Sequence, residues 1–241
     1  LEYREEVAPV RTAGLIGGIA PESTIQYYRG IVETWRARVP GGSYPPVIIN
    51  SIDMTRMLGL VGTGRLEEVT AFLAEEVQKL HRAGAEFAAL ASNTPHLVFE
   101  ALQQQSPIPL ISIVATACRA AHAAGLARVG LIGTRFTMQG GFYQQVFAPT
   151  GITLVTPAPE EQTFIHDAYM GELVHGVFHD ETRARLVTII EALRERDAIA
   201  GLILGGTELP LILPEPRYAG LPMLDTTALH VARIVDEMLR S

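Results

Sequence analysis

Short apolar runs alternate with longer amphipathic stretches along the whole chain, and that alternation predicts its elements. Ala13 to Gly17 is a buried-type run entering the Gly17-Gly18 turn, and Pro21 and Ser23 then open a helix through about Arg38. Pro and Ser suit a helix start because the first helical N–H groups have no partner inside the helix. Pro46 to Ile49 reads as a strand ending at Asn50, Ser51 and Asp53. Leu66, Val69, Phe72, Leu73 and Leu80 fall on one face at helical spacing, so Arg65 to Ala83 reads as an amphipathic helix. Phe87 to Ala91 is a third strand with a helix over Thr94 to Gln104, and Ile108 to Ile113 a fourth with a helix through Ala124.

The second half repeats the order. Strands are expected at Arg128 to Ile132, Ile152 to Val155, Gly201 to Leu204 and Leu221 to Leu224. Helices are expected at Met138 to Phe147, Glu181 to Arg196 and Asp225 to Arg240, the last capped by Asp225 or Thr226. Strand and helix alternate throughout, which predicts parallel sheets covered by helices. Gly14-Leu15-Ile16-Gly17-Gly18 and Gly130-Leu131-Ile132-Gly133-Thr134 match closely, so the chain reads as two similar α/β halves. The expected division is 12–115, taking back the closing helix at 226–241, and 116–225.

Ligands of such sheets bind beyond the carboxyl ends of the strands. Two matched loops lie there, Ala91-Ser92-Asn93-Thr94-Pro95-His96 and Gly205-Gly206-Thr207-Glu208-Leu209-Pro210. Ser92 stands 78 residues after Gly14, and Gly206 stands 76 after Gly130. Two equivalent loops are thereby expected to face each other across one small ligand.

Composition narrows the classes. The 241 residues are 48% hydrophobic, enough for an ample core, and the apolar runs are too short to span a bilayer. A net charge of −7 argues against nucleic acid as the main partner, since phosphate binding needs a basic stripe. Leu1 to Arg11 is polar and carries no signal-peptide pattern, and with one cysteine in the chain a cytoplasmic setting is the default expectation. The single cysteine, Cys118, excludes an internal disulfide and a cysteine-based zinc cluster, and no metal site is expected. Lys79 is the only lysine and lies inside a strongly charged helix, a poor place for a Schiff base with pyridoxal phosphate. The first glycine turn lacks the full dinucleotide fingerprint, because Pro21 removes an amide and no Walker lysine follows. A backbone cradle for a small carboxylate, including Gly18, is the favoured reading of that turn.

Ile16-Gly17-Gly18-Ile19-Ala20-Pro21-Glu22-Ser23-Thr24 resembles the first-strand motif of the aspartate/glutamate racemase family. Asn93-Thr94-Pro95-His96 is similar to that family's first catalytic loop, and Leu204-Gly205-Gly206-Thr207-Glu208-Leu209 to its second. The resemblance covers nearly the whole chain. It implies two flavodoxin-like halves related by a pseudo-twofold axis, an active site between them, a homodimer, and cofactor-free isomerase chemistry on a small amino acid or dicarboxylate. In that family two cysteines flank the substrate Cα, one removing the α-proton and the other returning one to the opposite face. A thiol suits both roles because its pKa lies near ~8.5. The resemblance places those cysteines at Ser92 and Gly206, and a family lysine near Val174 or His175.

With neither thiol present, other groups become candidates. Asn93, Thr94 and Thr207 resemble the family's binders of the α-carboxylate and amino group, and turn and cap chemistry explains them equally. Asn50 and Thr134 lie at strand ends and join the candidate binders. Arg56 is a candidate partner for a distal carboxylate, or a surface arginine. Glu208 is a ligand contact, a base, or a helix-start acid. His96 and His166 are candidate proton donors or structural histidines. Two functions stay open: an enzyme, either inverting Cα or working on one face as a lyase or decarboxylase would, and a ligand-binding homologue without turnover.

Overall fold

The computed structural model describes residues 10–41 and 44–240. Most of the polar Leu1 to Arg11 segment, residues 1–9, lies outside the described residues. The N-terminal half runs β1 (Ala13–Gly17), α1 (Pro21–Arg38), β2 (Val47–Ser51), α2 (Met54–Gly62), α3 (Leu66–Arg82) and β3 (Phe87–Leu90), then a 3-10 turn over Thr94–Val98, α4 (Phe99–Gln105), β4 (Leu110–Ile111) and α5 (Ile113–Ala123). The C-terminal half runs β5 (Arg128–Gly133), α6 (Arg135–Gln139), α7 (Phe142–Phe147), β6 (Thr153–Val155), α8 (Pro159–Gly171), α9 (Asp180–Asp197), β7 (Gly201–Gly205), α10 (Leu209–Ile212), β8 (Arg217–Tyr218), β9 (Leu221–Asp225) and α11 (Thr226–Met238).

The two sheets have strand orders β2-β1-β3-β4 and β6-β5-β7-β9-β8. The same core order, second-first-third-fourth, appears in both, with β1, β2, β3 and β4 answering to β5, β6, β7 and β9. All these pairs are parallel, as the strand-helix alternation predicts. The addition is β8, which pairs antiparallel with β9 at an edge through only two residues.

Each sheet is buried on both faces, which is why its strands read as unbroken apolar runs. One face of the first sheet packs Ile16, Ala88 and Leu90 against Val69, Leu73 and Val77 of α3 and Met57 of α2. The other packs Leu15 and Phe87 against Ile31 and Trp35 of α1 and Val231 and Val235 of α11. The second sheet lies between α8 and α9 on one side and α5 and α7 on the other. Helix α11 leaves the second sheet directly after β9 and covers the first. Its His230 locks it there, one ring nitrogen on Ile111 O at 2.9 Å and the other on the Tyr27 hydroxyl at 2.8 Å.

Three elements depart from the sequence expectation. Helix α2 follows Asp53, whose carboxylate accepts from Arg56 N–H at 3.1 Å; it is too short to announce itself by periodicity. The expected helix over Met138 to Phe147 is two, broken at Gly140 and Gly141. The expected strand over Ile108 to Ile113 shrinks to Leu110–Ile111, because Ser112 already caps α5 through Ala115 N–H. The segment around His166 is a full helix, α8, opened by Pro159.

Candidate active site

The carboxyl ends of β1, β3, β5 and β7 converge on one small, partly enclosed cavity. The first half contributes Ile19 and Ala20 from the turn after β1, Met54 and Leu58 from α2, and Ser92, Asn93 and Thr94 after β3. The second contributes Thr134, Phe136 and Thr137 after β5, Tyr169, Met170 and Val174 from α8 and the turn beyond, and Gly205, Gly206 and Glu208 after β7. Both matched loops thus line the same space.

Backbone geometry explains the β1 turn. Gly18 has φ +84°, and a Cβ there would fall 2.5 Å from Ile52 O, so only glycine closes this turn against the chain after β2. Its N–H donates to Thr24 Oγ1 at 2.7 Å. That amide is consumed within the turn, and Gly18 does not line the cavity, whereas Ile19 and Ala20 do.

Polar contacts stitch the loops together. Asn93 Oδ1 accepts from the Tyr143 hydroxyl at 2.6 Å, and the Thr94 and Thr134 hydroxyls meet across the two halves at 3.4 Å. Thr134 also caps α6, accepting from Thr137 N–H at 3.3 Å. Ser92 is buried, and its Oγ has no hydrogen-bond partner among the described residues.

The second loop is filled differently. A Cβ built on Gly206 would lie 2.8 Å from the Tyr169 hydroxyl oxygen and 2.9 Å from Cζ, and closer still to Cε2. The Tyr169 ring therefore stands in the volume into which a side chain at 206 would point. Its hydroxyl donates to Glu208 Oε2, which also accepts from Thr207 Oγ1 at 2.8 Å. Glu208 is 1% exposed, and its other oxygen, Oε1, is buried without a hydrogen-bond partner. A buried, half-satisfied carboxylate in a native cavity is costly and calls for a reason.

Burial sets the proton affinities here. Desolvation raises the Glu208 carboxyl above its ordinary value, opposed by hydrogen bonds from Tyr169 and Thr207 and by the Glu208 and Ala20 amides. Desolvation, and then the Glu208 charge, raise the Tyr169 phenol well above its ordinary value. Tyr169 is therefore a neutral donor, and Glu208 a carboxyl that burial makes easier to protonate than a free one.

Residues 16–234 match the family described as Asp/Glu/Hydantoin racemase. The chain belongs to this racemase family. It is 25% identical to the broad specificity amino-acid racemase RacX of Bacillus subtilis (strain 168), over 89% of this chain and 92% of that one. It is 32% identical to the solved aspartate racemase homologue of Pyrococcus horikoshii OT3, with a TM-score of 0.82 over 95% of this chain and all of that one. The glutamate racemase of Francisella tularensis, solved with D-glutamate, shares the fold at 18% identity, with a TM-score of 0.67 over 96% of this chain and 81% of that one.

Within this racemase fold the other expected site residues lie off the cavity. His96 donates from Nδ1 to Ser92 O at 3.1 Å, accepts Ile113 N–H on Nε2 at 3.2 Å, and stacks on Phe99. Both ring nitrogens are taken, and burial, then the charge of His230, pulls its pKa down to about 3, so it holds the loop as a neutral ring. His166 accepts Arg135 N–H at 3.2 Å and packs edge-on to Phe136, one layer outside the cavity wall. Asn50 is spent on Glu76 Oε2 at 2.7 Å, tying β2 to α3. Arg56 lies over the Phe72 ring at 4.3 Å on the outer side of α2. Thr207 does not line the cavity, but it holds Glu208. Of the two residues at the expected lysine position, Val174 lines the cavity while His175 is exposed.

Two groups escaped the sequence reading. Tyr169 is one of seven tyrosines and has no motif of its own; only the bare Gly206 opposite hints that something must fill its place. Met54 and Leu58 sit on the short α2, where apolar residues look like ordinary core.

Proposed function

We propose that this chain is a cofactor-independent proton-transfer enzyme acting at the Cα of a small amino acid, with Glu208 as the group that takes and returns the α-proton. The observation that supports this is Glu208, a residue of the cavity lining whose Oε1 is buried without a hydrogen-bond partner. Burial raises its carboxyl above the ordinary value, the direction that strengthens a carboxylate as a general base. Tyr169 and Thr207 hold the other oxygen and leave Oε1 unpaired.

In this reading Ser92 and Gly206 occupy the positions of the family's two thiols. Cys118 replaces neither, because it is packed in the core on α5, near Val146 O. Glu208 accepts the proton as the Cα–H bond breaks, and the electron pair passes into the substrate carboxyl group. The hydroxyls of Ser92 and Thr94 are placed to donate to that group. The Glu208 carboxyl then returns a proton to Cα.

Among the described residues lining the cavity, the Ser92 side has no matching base. His96 binds the Ser92 carbonyl and not its hydroxyl, and a serine hydroxyl without a base is a poor proton acceptor. One competent group favours exchange at one face over rapid inversion. Cofactor independence has support from Lys79, the only lysine, which is paired to Glu76 at 2.8 Å on the surface of α3. A homodimer belongs to the proposal through the family resemblance, a cytoplasmic setting through the composition, and separate halves at 12–115 with 226–241 and at 116–225 through the repeated sequence pattern.

The test is incubation of purified protein with single enantiomers of amino acids in D₂O. Loss of the α-proton NMR signal, with inversion by chiral chromatography slower than exchange, is the expected result. No exchange with any amino acid that binds would defeat the enzymatic reading in favour of a binding protein.

A further inference from the structure

The cavity has one charged residue among its described lining, and that residue is the acid Glu208. The cations nearby in sequence all point elsewhere. Arg56 is stacked on Phe72, Arg135 is exposed, and His175 is exposed beyond Val174. Facing the polar loops is a wall of Met54, Leu58, Phe136, Met170 and Val174, drawn from α2, α6, α8 and the turn beyond α8.

We infer that the substrate is an α-amino acid with an apolar side chain, held with that side chain against the Met54, Leu58 and Met170 wall, and not a dicarboxylate. This rests on the proposed function only in placing the substrate in this cavity. A second carboxylate here would leave water without a cation and share the cavity with Glu208. Burying an unpaired charge costs far more than the rest of a small ligand can return. An apolar side chain instead gains from each methylene it buries. The polar loops keep the α-carboxylate and ammonium at the opposite end, beside Ser92, Thr94 and Glu208.

The experiment is calorimetric titration of the full chain with L- and D-methionine, L- and D-leucine, and L- and D-aspartate and glutamate. At least one enantiomer of methionine or leucine is expected to bind at least tenfold more tightly than any of the four dicarboxylate enantiomers. Leu58→Arg, at a partly buried position, adds a cation to the wall and is expected to reverse that order. Equal or tighter binding of aspartate or glutamate to the unmodified chain would overturn the inference. So would a Leu58→Arg protein that folds and keeps the original preference. Binding of methionine or leucine without α-proton exchange would defeat the proposed chemistry and leave this assignment standing. Failure of every ligand to bind would overturn both.

Discussion

The phenol ring of Tyr169 occupies the space into which a side chain on residue 206 would project, and its hydroxyl holds Glu208. Absence of a side chain at 206 and presence of the ring are thus two halves of one arrangement. Gly206→Ala is expected to destabilise the protein by roughly 1–3 kcal/mol, the usual cost of overpacking against a buried group that cannot swing aside. In the double variant with Tyr169→Ala the two costs should not add, because the second change removes what the first collides with. Urea denaturation of the two single variants and the double variant measures this coupling.

Tyr169→Phe removes one donor from Glu208 and leaves the ring in place. That hydrogen bond lowers the Glu208 pKa, so its loss is expected to raise it further. The pH dependence of α-proton exchange should shift to higher pH, with a stability loss of roughly 1–3 kcal/mol. A profile that stays put while activity falls would assign Tyr169 to packing alone.

Glu208→Gln is expected to raise the denaturation midpoint at neutral pH. A carboxyl whose folded pKa lies above its unfolded value favours the protonated form on folding. Its stabilising contribution is present below the unfolded pKa and is lost as pH rises through the folded one. The introduced amide keeps the shape without the charge, which is the trade of stability for function expected at a catalytic site. Thermal denaturation at pH 7 checks the sign.

Acid stability should follow two buried histidines. Burial lowers His96 to about 3, helped by the charge of His230, and lowers His230 to about 4. Both stay neutral in the folded chain and take up protons on unfolding. Their contribution is complete above the unfolded value near 6.5 and falls away as pH drops from there toward 4, by at most about 1.4 kcal/mol per histidine per pH unit. Urea midpoints between pH 7 and pH 4 measure the slope, and His230→Gln should flatten it.

Much of the fold was legible because burial on both sheet faces forces unbroken apolar strands between amphipathic helices. The Leu15 and Leu131 strands announce themselves that way, and both matched loops do reach one cavity. What escaped was the direction of side chains. Asn50, Arg56, His96 and His166 stand near the cavity in sequence, yet each has a partner in its own half that turns it away. Tyr169 could not be found because its role depends on meeting Gly206 across the fold, and no spacing along the chain records that approach.

In the proposed chemistry Glu208 handles the α-proton, and that role is measured by comparing α-deuteration rates in D₂O for the unmodified chain and Glu208→Gln, with a bound apolar amino acid. A loss of roughly 10²- to 10⁴-fold in the variant, with ligand affinity retained, is the predicted result, the range general acid–base groups supply. Exchange at the unmodified rate in Glu208→Gln would contradict it and place the proton transfer on another group.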